Sequence, residues 1–392
     1  MKIAIVGGCG HVGLPLGVSL AAAGAEVIAF DIDAGAVSQV NSGAAPFHED
    51  SLNELLISTL GKTFRATTDA RSVIDANVVV MIVGTPLDVH LNPDPNAVVD
   101  AVAGILELLN KDQILILRST VYPGVTRRIE KLLEEANKKL DIAFCPERIV
   151  EGSAMRELKE LPQIIGARSD KEFERSKSVF DYLGVESIRC TPEEAELAKL
   201  FTNTWRYIKF ATANQFWMMA NEAGIEYENV RNAIKYEYPR ASDLPGAGFS
   251  AGPCLFKDTM QLASFGGSDF PLGNAAMLVN EYQPDYVVRK LREQYDLSNL
   301  TVGILGMAFK GESDDIRSSL AYKLKRILKF HSRRVLTSDP FVKTDLSLIS
   351  EKQLIEESDL IIIGAPHERY RNLKSEKRIV DIWNILGLGT RV

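Results

Sequence analysis

The chain has 392 residues, a formal net charge of −7, 46% hydrophobic and 25% charged residues, the make-up of a soluble globular protein of two or three domains. That balance excludes a broad nucleic-acid-binding or acidic-membrane-binding surface, and no apolar run reaches the roughly 20 residues that cross a bilayer. Met1-Lys2 leads straight into a strand with no signal peptide before it, so a cytoplasmic protein is expected. Cys9, Cys145, Cys190 and Cys254 lack metal-ligand spacing, so they are expected to be reduced thiols with no bound metal.

The first element is Lys2–Val6, a short apolar run of the buried parallel-strand type. Gly8-Cys9-Gly10-His11-Val12-Gly13 follows at once, then an apolar helical run to Gly24 and a second strand, Val27–Phe30, ending at Asp31. A G-x-G-x-x-G between a strand and a helix, with an acid 18 residues past its last glycine, is the dinucleotide-binding context. The glycines admit a pyrophosphate, the helix N-terminus stabilises its charge, and Asp31 accepts from the ribose hydroxyls. An acid at that point disfavours a 2′-phosphate, so NAD is expected rather than NADP.

Strands at βα spacing follow. Val78–Val83 ends in Gly84-Thr85-Pro86, Gln113–Leu117 in Arg118-Ser119-Thr120, and Ile142–Phe144 in Cys145-Pro146-Glu147-Arg148. Ligands of doubly wound sheets lie beyond the carboxyl ends of the strands, so Thr85, Thr120 and Glu147 are expected at one crevice. The prolines Pro86, Pro123 and Pro146 also read as plain loop stiffeners.

A long helix is expected from Thr191 to about Gly224. Thr191-Pro192-Glu193-Glu194 is a capping-box start, and Leu197, Leu200, Phe201, Trp205, Ile208, Thr212 and Phe216 recur at helical spacing. At about 1.5 Å per residue it spans on the order of 50 Å, the length of a helix that bridges domains or forms a subunit interface. Lys199 and Asn203, four apart, share a face, either as functional groups or as a solvated edge.

Beyond it lies a turn-rich loop, Gly246 to Cys254, with Tyr238-Pro239-Arg240 ahead of it and Leu255-Phe256-Lys257-Asp258 leading into a helix. Backbone amides in such a loop can wrap a ligand. Cys254, just before a helix start and near Lys257, is placed to favour thiolate, the nucleophilic form, although an isolated loop cysteine is more often inert. Cys9 reads as a small neutral filler. The last third echoes the first: Thr301–Gly306, an amphipathic helix from about Ser318, Val335–Thr337 with Asp339, then Asp359–Gly364. It lacks G-x-G-x-x-G, so no second dinucleotide is expected. Lys310, Asp314, Asp315 and Arg317 read either as a phosphate-docking cluster or as a solvated charge run.

Gly8 through Pro15, Gly84-Thr85-Pro86, Ser119 through Gly124, Pro146-Glu147-Arg148, Glu196 through Lys199 with Asn203, Gly252 through Asp258, and Lys310 with Asp315-Ile316-Arg317 together resemble the ordered motifs of the nucleotide-sugar 6-dehydrogenases. This is the UDP-glucose and UDP-N-acetylhexosamine dehydrogenase family. The resemblance implies an α/β fold of two Rossmann-like doubly wound domains joined by a long central helix, usually dimeric through that helix. It implies boundaries of 1–190 for an NAD-binding domain, 191–295 for a central helical part with the cysteine loop, and 296–392 for a UDP-sugar-binding domain.

The activity implied is a four-electron oxidation of a sugar C6 alcohol to a carboxylate with two NAD+. Cys254 would be the nucleophile, Lys199 and Asn203 the oxyanion stabilisers, Asp258 and Thr120 the water and proton handlers, and Glu147 the base for hydrolysis. Lys199 as base for the alcohol stays open. Gly8, Gly10, His11, Val12, Gly13, Asp31, Thr85, Thr120 and Lys257 would bind the cofactor; Arg148, Arg240, Phe249, Gly252, Lys310 and Arg317 would hold the UDP-sugar. The motif departs from the family at Pro253 and at Phe256, which stands where the family has proline. Arg148 leans toward an N-acetylated hexose, Glu151-Gly152 toward glucose. A two-electron hydroxyacid dehydrogenase and a non-catalytic NAD sensor are the competing readings.

Overall fold

The computed structural model describes residues 1–85, 88, 93–250 and 252–392. Pro86 of the Gly84-Thr85-Pro86 motif and Ala251 of the cysteine loop lie outside the described residues. The chain divides into two compact units, Met1–Thr202 and Asn203–Val392.

The first unit is built on one eight-stranded sheet. Its strands are β1 Lys2–Val6, β2 Glu26–Phe30, β3 Phe64–Thr67, β4 Val78–Met81, β5 Ile114–Leu117, β6 Asp141–Phe144, β7 Gln163–Gly166 and β8 Ser187–Cys190, in the order β3-β2-β1-β4-β5-β6-β7-β8. The strand order reverses between β1 and β4, which opens the crevice that doubly wound sheets use for ligands. All pairs are parallel except β6 with β7, which meet antiparallel at Phe144↔Gly166. Helices cover both faces, so Ile3, Ala4, Ile5 and Val6 are all buried and β1 reads as a continuous apolar run. β4 is shorter than the apolar run predicts, because the Val83 N–H leaves the ladder and donates to Ser119 Oγ at 2.8 Å.

The second unit holds a smaller, fully parallel sheet of β9 Thr301–Leu305, β10 Arg334–Ser338, β11 Leu360–Ile363 and β12 Arg378–Val380, ordered β10-β9-β11-β12. Its amphipathic helix begins at Leu320 rather than near Ser318. Ser318 takes a left-handed φ of 53°, and Ser319 caps the helix by accepting from the Ala321 N–H.

The long helix runs from Pro192 to Glu222 across the boundary between the units. Its capping box is formed: Thr191 N–H donates to Glu194 Oε2 at 2.7 Å and Glu194 N–H to Thr191 Oγ1 at 3.3 Å. Gly224, with φ +69°, follows its end. The predicted stripe splits: Leu200 is fully buried, whereas Phe201, Trp205 and Phe216 are 53%, 58% and 44% exposed.

Candidate active site

The glycine turn after β1 is shaped for a ligand. A Cβ on Gly8 would meet Ala29 Cβ at 2.6 Å, and one on Gly13 would meet Gly7 O at 2.3 Å, so both are glycine for packing. Gly10 is different: it is exposed, and a Cβ there would meet nothing closer than 3.9 Å. Its missing side chain has no reason inside the protein and leaves room for a pyrophosphate. The helix Gly13–Ala22 starts at Val12 with no side-chain cap; the Leu14 N–H donates back to the Gly10 carbonyl at 3.0 Å and Pro15 has no N–H, so what this end offers an anion is chiefly the positive end of the helix dipole. Asp31, half-exposed at the end of β2, accepts from the Cys9 N–H at 3.0 Å and the Asp33 N–H at 3.1 Å, which aims its carboxylate at the turn. The Cys9 thiol, pushed up to about 12 by burial and by Asp31 and Asp33, stays neutral as expected. His11 lies 4.1 Å from the Phe47 ring, centre to centre. These groups fit NAD.

The loops beyond β4, β5 and β6 are stitched together in the same unit. Thr85 Oγ1 donates to the Thr120 carbonyl at 2.8 Å, so these two expected residues do meet. Glu147 is tied more tightly than its sequence suggests. Its Oε1 accepts from the Arg148 N–H at 2.6 Å and the Ile149 N–H at 2.9 Å, and its Oε2 pairs with buried Arg118. Arg118 also donates to the Cys145 carbonyl and to Gln163 Oε1, a structural role that the strand-end pattern did not reveal. The Arg148 guanidinium donates to the Pro162 carbonyl.

Glu196 was missed as an anchor. Fully buried, it accepts from the Gly124 N–H at 2.6 Å, the Thr126 N–H at 2.8 Å and Thr126 Oγ1 at 2.6 Å. It thereby caps the helix Val125–Glu135 and pins the turn carrying Lys199 to the loop carrying Thr120. Lys199 itself is only 8% exposed and has no ion-pair partner among the described residues, so it is not a solvated edge. A buried, unpaired ammonium is costly unless a ligand meets it.

In the second unit, Gly252 adopts φ +107° and Pro253 opens the helix Pro253–Gly266. Cys254 is therefore in the first helical turn, exposed, rather than ahead of it. The helix N-terminus is a favourable setting for a thiolate. One turn on, Asp258 is 1% exposed; its Oδ2 accepts from Asn203 Nδ2 at 2.6 Å. Its Oδ1 lies 3.6 Å from Lys257 Nζ and makes no hydrogen bond among the described residues.

The expected sugar-nucleotide residues of this unit are placed variously. Arg240 is exposed and stacked on the Tyr238 ring, to whose hydroxyl its Nε donates at 2.9 Å. Phe249 is a correction: its ring is 1% exposed and packs edge-on to Trp383 in the core, leaving only its backbone for a ligand. Lys310 is half-buried in the turn after β9, and Arg317 forks onto Asp315. That turn copies the first one. Asp339, ending β10 as Asp31 ends β2, accepts from the Met307 N–H at 2.6 Å and the Ala308 N–H at 3.0 Å. Burial opposes its charge, but the His367 ring and the amides of Met307 and Val342 outweigh it and hold its carboxyl at about 2.

Comparison with known proteins agrees with this layout. Three models of the UDP-glucose/GDP-mannose dehydrogenase family match in order: the NAD binding domain over residues 1–184, the central domain over 193–282 and the UDP binding domain over 303–387. The UDP-N-acetyl-D-mannosamine dehydrogenase of Pyrococcus horikoshii is 30% identical, covering 98% of this chain and 96% of its own. The UDP-glucose 6-dehydrogenase of Haloferax volcanii is 33% identical over 87% of this chain and 83% of its own. A solved UDP-D-ManNAc dehydrogenase of Pyrococcus horikoshii aligns with a TM-score of 0.91 at 28% identity, covering 98% of this chain and 96% of that one. With the glycine turn, the cysteine helix and the second nucleotide-type turn all in place, the chain belongs to the UDP-glucose/GDP-mannose dehydrogenase family, with an NAD binding domain at its N-terminal end.

Proposed function

We propose that the chain is an NAD-dependent UDP-sugar 6-dehydrogenase. It oxidises the C6 alcohol of a UDP-hexose, either UDP-glucose or a UDP-N-acetylhexosamine such as UDP-ManNAc, to the UDP-uronic acid. The relatives' printed activities and the ordered NAD binding, central and UDP binding domains support this reading. We assign 1–190 to cofactor binding, 191–295 to the central part and 296–392 to the UDP-sugar.

The single observation that carries the chemistry is the 2.6 Å hydrogen bond from Asn203 to Asp258. It ties Asn203 to the helix Pro253–Gly266, whose first turn bears Cys254. NAD+ at the glycine turn supplies the hydride acceptor. Once C6 is an aldehyde, Cys254 Sγ bonds to its carbon, and the oxygen's developing charge is met by the Lys199 ammonium and the Asn203 amide. After the second two-electron oxidation the C6–S thioester takes up water, the C–S bond breaks and the thiol leaves. Asp258 and Thr120 hold that water and pass its proton; Glu147 is the base. Covalent capture keeps the aldehyde from escaping between oxidations.

The test is a panel of UDP- and GDP-hexoses scored for NADH. Two NADH per sugar with a UDP-hexose supports the reading. One NADH would indicate the two-electron alternative, and none a non-catalytic NAD binder. The exposed stripe Phe201, Trp205, Phe216 and Met219 supports assembly as a homodimer or higher homo-oligomer through the long helix.

A further inference from the structure

We propose that Asn214 is a positioning residue for the cysteine loop, acting through a relay of buried carboxamides inside the second unit. Asn214 and Asn280 are both fully buried, one on the long helix and one on the helix Pro271–Gln294. Asn280 Nδ2 donates to the Tyr207 carbonyl at 3.2 Å, Asn214 Nδ2 donates to Asn280 Oδ1 at 2.9 Å, and the Gly248 N–H donates to Asn214 Oδ1 at 3.0 Å. The relay has only one sense. The Tyr207 carbonyl demands the nitrogen end of Asn280, which turns its oxygen to Asn214 and leaves the oxygen of Asn214 facing Gly248. Flipping either amide sets oxygen against oxygen or N–H against N–H.

Packing two helices does not need this, because buried amides are worth having only when fully satisfied. The relay ends on a loop amide, not on a helix, and that loop leads directly to Cys254. Among the described residues, Gly248–Ser250 and Gly252 have little freedom to absorb a shift at Gly248. A Cβ there would lie 2.2 Å from the Trp383 ring, the Ser250 N–H donates to the Gly248 carbonyl at 2.7 Å, and the Phe249 ring is held in the core. Farther along, a Cβ on Gly252 would meet the Phe309 ring at 2.5 Å. The position of the thiol is thus inherited from the long helix through Asn214.

The inference rests on the proposed nucleophile, whose failure shows separately as turnover surviving in Cys254→Ser with Asn214 intact. Asn214→Ala removes the acceptor of the Gly248 N–H. Since misplacing a reacting group by about 1 Å costs about 10²-fold, kcat should fall by roughly that factor. KM for NAD+ should stay within about threefold, because the cofactor turn is in the other unit. The rate of Cys254 alkylation by iodoacetamide should change with kcat. If Asn214→Ala does not fold, Asn214→Ser carries the same expectation, since its hydroxyl is too short to reach Gly248. Wild-type kcat in Asn214→Ala or Asn214→Ser, or a parallel rise in KM for NAD+, would each overturn the proposal.

Discussion

Asn203 Nδ2 lies 2.6 Å from Asp258 Oδ2, and both side chains are buried. The bond sets the orientation of the carboxamide and leaves Asp258 Oδ1 as the oxygen not yet hydrogen-bonded. Replacing Asn203 by Ala strips a buried carboxylate of its donor, which should cost about 1–3 kcal/mol in a urea melt. It should also lower kcat by roughly 10²-fold through the lost oxyanion contact. A variant as stable and as fast as wild type would contradict both roles.

Gly10 and Gly13 should respond differently to the same added methyl group. Gly10→Ala meets no protein atom closer than 3.9 Å, so the fold should stand while KM for NAD+ rises by at least about tenfold, or about 1.4 kcal/mol. Gly13→Ala drives a Cβ to 2.3 Å from the Gly7 carbonyl oxygen and should lower the melting temperature as well. Parallel measurements of KM and melting temperature check this; a Gly10→Ala protein with unchanged KM would remove the pyrophosphate from that turn.

Stability of the second unit should depend on acid through Asp339. Its carboxyl is held at about 2 in the folded chain, below its ordinary value of 3.8. The contribution is therefore complete above about pH 4 and is lost as pH falls toward 2, on the order of 2 kcal/mol in all. The Glu312 N–H donates to His367 Nδ1 at 3.0 Å, and His367 Nε2 lies 3.1 Å from Asp339 Oδ2. Asp339→Asn should flatten the pH dependence of the urea midpoint between pH 4 and 2; an unchanged slope would refute it.

Trp205 is 58% exposed on a helix whose opposite side is buried. Trp205→Glu puts a charge into the apolar stripe, and sedimentation should show a shift toward monomer at micromolar concentration. Unchanged mass would place the subunit contact elsewhere.

What the sequence made legible was local. The β1 turn, Asp31, the capping box at Thr191 and the helix after Gly252 each depend on residues close together in the chain, and short-range patterns report them. The ties that place the site span long separations: Glu196 to Gly124 and Thr126, Arg118 to Glu147 and Gln163, Asn214 to Gly248 and Asn280. No periodicity announces such pairs. Phe249 shows the opposite failure: the family resemblance implies a ligand contact there, yet the core claims its ring. The antiparallel β6–β7 junction was equally hidden, because it rests on a single residue pair.

The nucleophile is tested most directly by Cys254→Ser, assayed with a UDP-hexose and NAD+ alongside NAD+ binding. The account predicts that sustained NADH production stops while NAD+ affinity stays within about threefold of wild type. Sustained turnover to the uronic acid in the serine variant would contradict it.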